Sequence, residues 1–188
     1  MLDKSKKTGD SNFSEQEIAR FDALADSWWD PEGKYKTALD FNRARLNVIK
    51  AQIENHFGQG NLPPDYSALS VIDIGSGGGL ISEPLAKLGA QVTGIDASAV
   101  SVEVARRHAQ NTGVKVDYQH KLSSEVVEEG RQYDVVINAE VVEHVPDQQQ
   151  LMRECASLVK PGGLLILATL NRTLKSYVVA IVGAEYVM

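Results

Sequence analysis

A single cysteine, Cys155, stands among 188 residues, so no disulfide can close within the chain and nothing points to an oxidising compartment. It sits in a helical stretch and reads as a small buried apolar residue. Aromatic residues are scarce at 6%. The most apolar segment, 174–188, is too short to span a bilayer. The amino terminus lacks the apolar core of a signal peptide, and the expectation is a cytoplasmic protein. Lys and Arg number 19 against 25 Asp and Glu, and the net charge of −6 argues against broad contact with a nucleic-acid backbone. Two phosphate-binding patterns are also missing. The dinucleotide fingerprint G-x-G-x-x-G/A fails at Leu80, and no Lys or Ser/Thr completes a phosphate loop after the glycines.

What is present suits one globular domain with an arm: 43% of residues are hydrophobic and 23% charged. Residues 1–13 are polar and expected to be disordered, 14–65 to form a helical arm or lid, and 66–188 the core. The arm opens with Ser14-Glu15-Gln16-Glu17, a capping box in which Glu17 reaches back to Ser14. Ile18, Phe21, Ala25 and Trp28 follow at helical spacing. Trp28-Trp29 fits either a cluster holding the arm to the core or a lid over a substrate. A second helix is predicted over 38–57, carrying Arg43 and Arg45.

The core is organised around Val71-Ile72-Asp73-Ile74-Gly75-Ser76-Gly77-Gly78-Gly79-Leu80. A β-branched strand runs into four glycines in five residues, and a helix opens at Leu80-Ile81. Such a turn lets a ligand lie almost against the backbone. Strands are predicted at 70–74, 91–95, 114–119, 133–139 and 164–169. Helices are predicted at 80–88, 98–111, 123–129, 146–159 and 173–187, with Pro146 at N1. Alternating strands and helices specify a doubly wound, mainly parallel α/β sheet, with ligands bound outside the strand carboxyl ends. The glycine turn, Asp96 and the residues after Ala139 share that rim. Asp96 suits two ribose hydroxyls. Ser98 serves as cap to the following helix, which frees Asp96 for a ligand.

Val71–Gly79 in that stretch, with Val92-Thr93-Gly94-Ile95-Asp96, Tyr133-Asp134-Val135-Val136 and Leu158-Val159-Lys160-Pro161-Gly162-Gly163, resembles the motifs of class I S-adenosylmethionine-dependent methyltransferases. A narrower set is similar to the ubiquinone-biosynthesis O-methyltransferases: Trp28-Trp29-Asp30, Asn42 with Arg45, Glu140-Val141-Val142-Glu143-His144-Val145-Pro146-Asp147, Thr169-Leu170-Asn171-Arg172 and Val182-Gly183-Ala184-Glu185-Tyr186. The resemblance implies a Rossmann-like fold that transfers methyl from S-adenosylmethionine to a catechol-type hydroxyl of a polyprenylated precursor. It implies cofactor contacts at Asp73, Gly75, Gly77, Gly79, Asp96 and Ala139, and an Arg45 pairing with the cofactor's carboxylate.

Glu140, Glu143 and His144 lie within five residues of one another. On a helical turn all three would converge, and oxygen ligands with one imidazole suit a divalent ion. The resemblance implies such an ion, Mg²⁺, at Glu140, Glu143 and His144. His144 would be its ligand or, failing a metal, a general base, with Glu140 beside it in the catalytic group. The resemblance also implies peripheral contact with the inner face of the membrane and a ubiquinone-biosynthesis complex as partner. The superfamily's carboxyl-terminal antiparallel hairpin is expected to be missing from a chain that ends at Met188. Two other readings stay open: a metal-independent methyltransferase with a different acceptor, and a nucleotide-binding module without transfer chemistry.

Overall fold

The computed structural model describes residues 12–22, 29, 36–60 and 62–169. The leader to residue 11, Trp28 and the helix expected at 173–187 lie outside the described residues. Five strands, β1 (Ser70–Ile74), β2 (Gln91–Asp96), β3 (Asp117–His120), β4 (Tyr133–Ala139) and β5 (Val159–Ala168), form one sheet in the order β3-β2-β1-β4-β5. All four pairings are parallel. The strand order reverses between β1 and β4, and the crevice that opens there is where such sheets bind ligands.

β1 and β4 are apolar because both their faces are covered. On one face Val71, Val92, Val135 and Ile137 pack with Ile49 and Ile53 of α2 (Lys36–Phe57) and with Leu85 of α3 (Ser82–Lys87). On the other, Ile72, Ile74 and Val136 pack with Val126 of α5 (Ser123–Glu128) and with Leu151 and Cys155 of α6 (Gln148–Ser157). Helix α4 (Ala99–Thr112) closes on Tyr118 of β3. Cys155 is fully buried, as expected, and burial pushes its thiol up to about 12.

Several boundaries differ from the sequence reading: β3 begins at Asp117 rather than 114, α2 at Lys36 rather than 38, and three further shifts have a visible cause. Helix α3 starts at Ser82 rather than Leu80, because the glycine turn continues for two more residues. Helix α6 starts at Gln148: the Asp147 carboxylate accepts from Gln150 N (2.9 Å) and becomes the cap, leaving Pro146 outside the helix. Strand β5 begins at Val159, before the predicted break. Tyr133 pairs with Val159 and Val135 with Leu164, so Lys160-Pro161-Gly162-Gly163 loops out opposite Asp134 alone.

Helix α1 (Glu15–Asp22) starts where the capping box placed it, with Ser14 Oγ accepting from Glu17 N (3.4 Å). The reciprocal half of the box is absent: the Glu17 side chain goes to His144 instead. Asn12, assigned to a disordered leader by its composition, is 9% exposed and bonded to the backbone of Asp147.

Candidate functional site

A cavity of about 260 Å³ opens at the carboxyl rim of the sheet. Its floor is Ile74 and Gly75 after β1, Ile95 and Asp96 after β2, and Ala139 and Glu140 after β4. Lys121 and Leu122, just past β3, close one side. Asn12, Phe13, Glu17 and Ile18 of the amino-terminal segment, with Arg45 of α2, close another. Of the predicted cofactor residues, Arg45, Gly75, Asp96 and Ala139 line this space, while Asp73, Gly77 and Gly79 lie outside its lining.

The glycine turn is built as much around protein as around any ligand. Gly75 has φ +74°, and a Cβ there would run into the Val141 side chain. Gly79 has φ +88°, and a Cβ there would meet the Tyr118 hydroxyl. Asp96 pins the turn: Oδ2 accepts from Gly77 N (2.9 Å) and Oδ1 from Ser98 N (2.8 Å). Ser98 does cap α4, accepting from Ser101 N (2.9 Å), but this does not release Asp96, which holds two backbone donors of its own. Asp73 lies beneath the turn, 1% exposed, and accepts from Ser82 Oγ (2.6 Å). Burial pushes its carboxyl up to about 6; the Asp96 charge adds to the rise, while Ser82 and Arg45 oppose it.

The arm reaches the turn at two points and the segment after β4 at a third. Asn42 Nδ2 donates to Leu80 O (2.9 Å), and Trp29 Nε1 donates to Gly78 O (2.9 Å). Trp29 also stacks on His108, with ring centroids 3.6 Å apart. The third is Arg45, which pairs with Glu140 across the cavity mouth and donates to Asn42 Oδ1 (3.4 Å). Trp29 therefore joins arm to core against the outer side of the turn and is not among the cavity-lining residues.

Glu140, Glu143 and His144 do not converge. Glu140 takes φ +59°, a left-handed conformation, with its N–H on Ala168 O (2.7 Å). A turn rather than a helix follows, so the i, i+3 geometry behind the expected cluster is absent. Glu140 faces Arg45, Glu143 accepts from Thr169 Oγ1 (3.1 Å), and His144 Nδ1 lies 2.7 Å from Glu17 Oε2. Among the described residues no group of three His, Cys, Asp or Glu is placed to hold a metal ion. The side chains present therefore do not fit the divalent ion that the resemblance implies.

They do fit an adenosyl amino acid. Arg45, here paired with Glu140, suits a carboxylate in exchange. Asp96 is fixed at the end of β2 by two backbone donors and as a carboxylate can accept more than two hydrogen bonds. Ser76 Oγ and both polar atoms of the Asn138 side chain are buried without partners. Sequence reading missed Asn12, Glu17, Lys121 and Leu122. The rule that ligands gather at strand carboxyl ends already marks Lys121 and Leu122. The first two are brought in by tertiary docking alone.

Residues 72–167 match the methyltransferase-domain family. A ubiquinone biosynthesis O-methyltransferase of Chelativorans sp. (strain BNC1) is 46% identical over 173 residues, 92% of this chain and 68% of that protein. One from Methylobacterium nodulans is 48% identical over 185 residues, 98% of this chain and 74% of that protein. Among solved structures, magnesium protoporphyrin IX methyltransferase from Synechocystis PCC 6803 with bound SAH superposes with a TM-score of 0.65. It is 25% identical, covering 89% of this chain and 74% of that one.

Proposed function

The chain belongs to the ubiquinone biosynthesis O-methyltransferases of the methyltransferase-domain family, and from this we propose that it methylates a catechol-type hydroxyl of a polyprenylated ubiquinone precursor, with S-adenosylmethionine as donor. The observation that carries the reading is the meeting in one cavity of Gly75, Asp96 and Ala139 with Arg45 from the arm and His144 from the segment after β4. Asp96 would hold the ribose. Arg45 would hold the methionine carboxylate, taking it in exchange for Glu140. Leu122 offers an apolar wall to a planar base.

When bound, S-adenosylmethionine supplies a methyl on a sulfonium: the acceptor oxygen's electron pair forms the new O–C bond, and the C–S pair stays with sulfur. The chain's own work is to orient the acceptor and remove its proton. His144 lines the cavity and takes the hydroxyl proton on Nε2, the nitrogen turned away from Glu17. Orientation within the cavity accounts for much of the remaining acceleration.

The test is methyl transfer to a short-chain demethylated quinol, with and without Mg²⁺. Labelled product that persists after chelation is the outcome this side-chain arrangement favours. Turnover that collapses on chelation and returns with Mg²⁺ would mean that Glu140, Glu143 and His144 leave their present partners during the cycle. The substrate's prenyl tail brings the reaction to a bilayer surface. We place the enzyme at the cytoplasmic face of a membrane, as a peripheral protein and member of a quinone-biosynthesis assembly. No described helix is long and apolar enough to cross a membrane. Failure to float with anionic vesicles would remove the peripheral placement.

A further inference from the structure

Glu17 is only 8% exposed, although Glu15 and Gln16 just before it on α1 are exposed. A buried glutamate needs a partner. Here the partner is 127 residues away: Oε2 lies 2.7 Å from His144 Nδ1. An ionised carboxylate can only accept, so the hydrogen of this bond sits on Nδ1, and a neutral imidazole then carries its lone pair on Nε2. Both side chains line the cavity. The same piece of arm is fixed a second time. Asn12 Nδ2 donates to Asp147 O (2.7 Å), and Asp147 N donates to Asn12 Oδ1 (2.8 Å). Residues 12–17 and 144–147 are thereby clamped together at two points.

We infer that Glu17 is a positioning residue for methyl transfer: it fixes the tautomer and the ring orientation of His144, so the base is complete only when the amino-terminal segment is docked. The inference rests on the methyltransferase reading. It assigns to the arm a part in the chemistry, beyond covering the cavity. The acceptor's proton goes to Nε2, and Glu17 keeps the Nδ1 proton in place as positive charge develops on the ring. The carboxylate itself takes up no proton.

The test compares Glu17→Gln and Glu17→Asp with the unaltered protein. A glutamine can present its amide N–H₂ to Nδ1, which selects the other tautomer. Glu17→Gln is expected to lower kcat about 100-fold while the KM for the quinol and the affinity for S-adenosylhomocysteine stay within about twofold. Glu17→Asp keeps a carboxylate and should recover part of kcat. Nitrogen-15 NMR of the imidazole supplies a readout that needs no acceptor: the proton sits on Nδ1 in the unaltered protein and shifts toward Nε2 in Glu17→Gln. An unchanged Nδ1 signal, or an unchanged kcat in Glu17→Gln, overturns the inference. A parallel fall in S-adenosylhomocysteine affinity in both variants would show that Glu17 merely seats the arm, and overturns it too. If the unaltered protein fails to methylate the quinol while the NMR shift appears, the choice of acceptor fails and the Glu17–His144 contact stands.

Discussion

At the scale of single residues, Asp73 has the most to say about stability. Its carboxyl has no solvent, and burial lifts it from 3.8 to about 6. Between those values the folded chain holds a proton that the unfolded chain has lost. The stabilisation is therefore complete below about pH 4 and is lost as pH rises through 6. A shift of roughly two units amounts to about 3 kcal/mol at most. Asp73→Asn keeps an acceptor for the Ser82 hydroxyl and removes the titration. Urea unfolding at intervals from pH 4 to pH 7 should show the variant gaining on the unaltered protein as pH rises, and ending the more stable of the two. A difference between the two that does not change with pH would mean that Asp73 does not titrate in that window.

At the scale of elements, the sheet depends on a tie at the end opposite the cavity. Asp134 of β4 accepts from Ser70 N (2.9 Å) and Ser70 Oγ (2.6 Å) of β1, and from Lys160 Nζ (2.9 Å) of β5. Burial would raise its carboxyl, but these three donors outweigh it and hold the group below the usual range. The ion pair is partly open to solvent, with the Lys160 side chain 42% exposed. Its loss in Lys160→Met is therefore expected to cost about 1 kcal/mol, read as a lower urea midpoint with an unchanged slope. A loss above about 3 kcal/mol would mean that the looped-out 160–163 segment itself had collapsed.

The elements also separate what local chemistry dictates from what it does not. Strands β1, β2 and β4 were legible because their β-branched residues are buried on both faces, and glycine marks where β1 stops. Helix α4 was legible to within one residue, since Ser98 and Gly113 cap it as their chemistry demands. The misread points are those where a distant partner wins. Glu17 forsakes its own cap for an imidazole on the far side of the chain. Asp147 displaces Pro146 as the start of α6. The left-handed turn at Glu140 follows from no local preference: Ala168 O and Arg45 hold it from outside. With that turn goes the convergence that helical spacing had suggested for Glu140, Glu143 and His144.

At the scale of the whole molecule, one cavity draws on residues from Asn12 to Glu154, so the site depends on chain topology rather than on any one segment. The docking of the arm beside that cavity has an optical consequence. The chain has two tryptophans, and Trp29 is bonded to the Gly78 carbonyl and stacked on His108. The next residue toward the amino terminus, Gly77, is tied to Asp96, the proposed ribose holder. A ligand that shifts the turn must alter the surroundings of an indole already in contact with it. Titrating S-adenosylhomocysteine into a Trp28→Phe variant should change the emission of the remaining tryptophan, and Trp29→Phe should abolish the change. The protein then carries its own fluorescent gauge of cofactor capture, readable in a stopped-flow cell without any label.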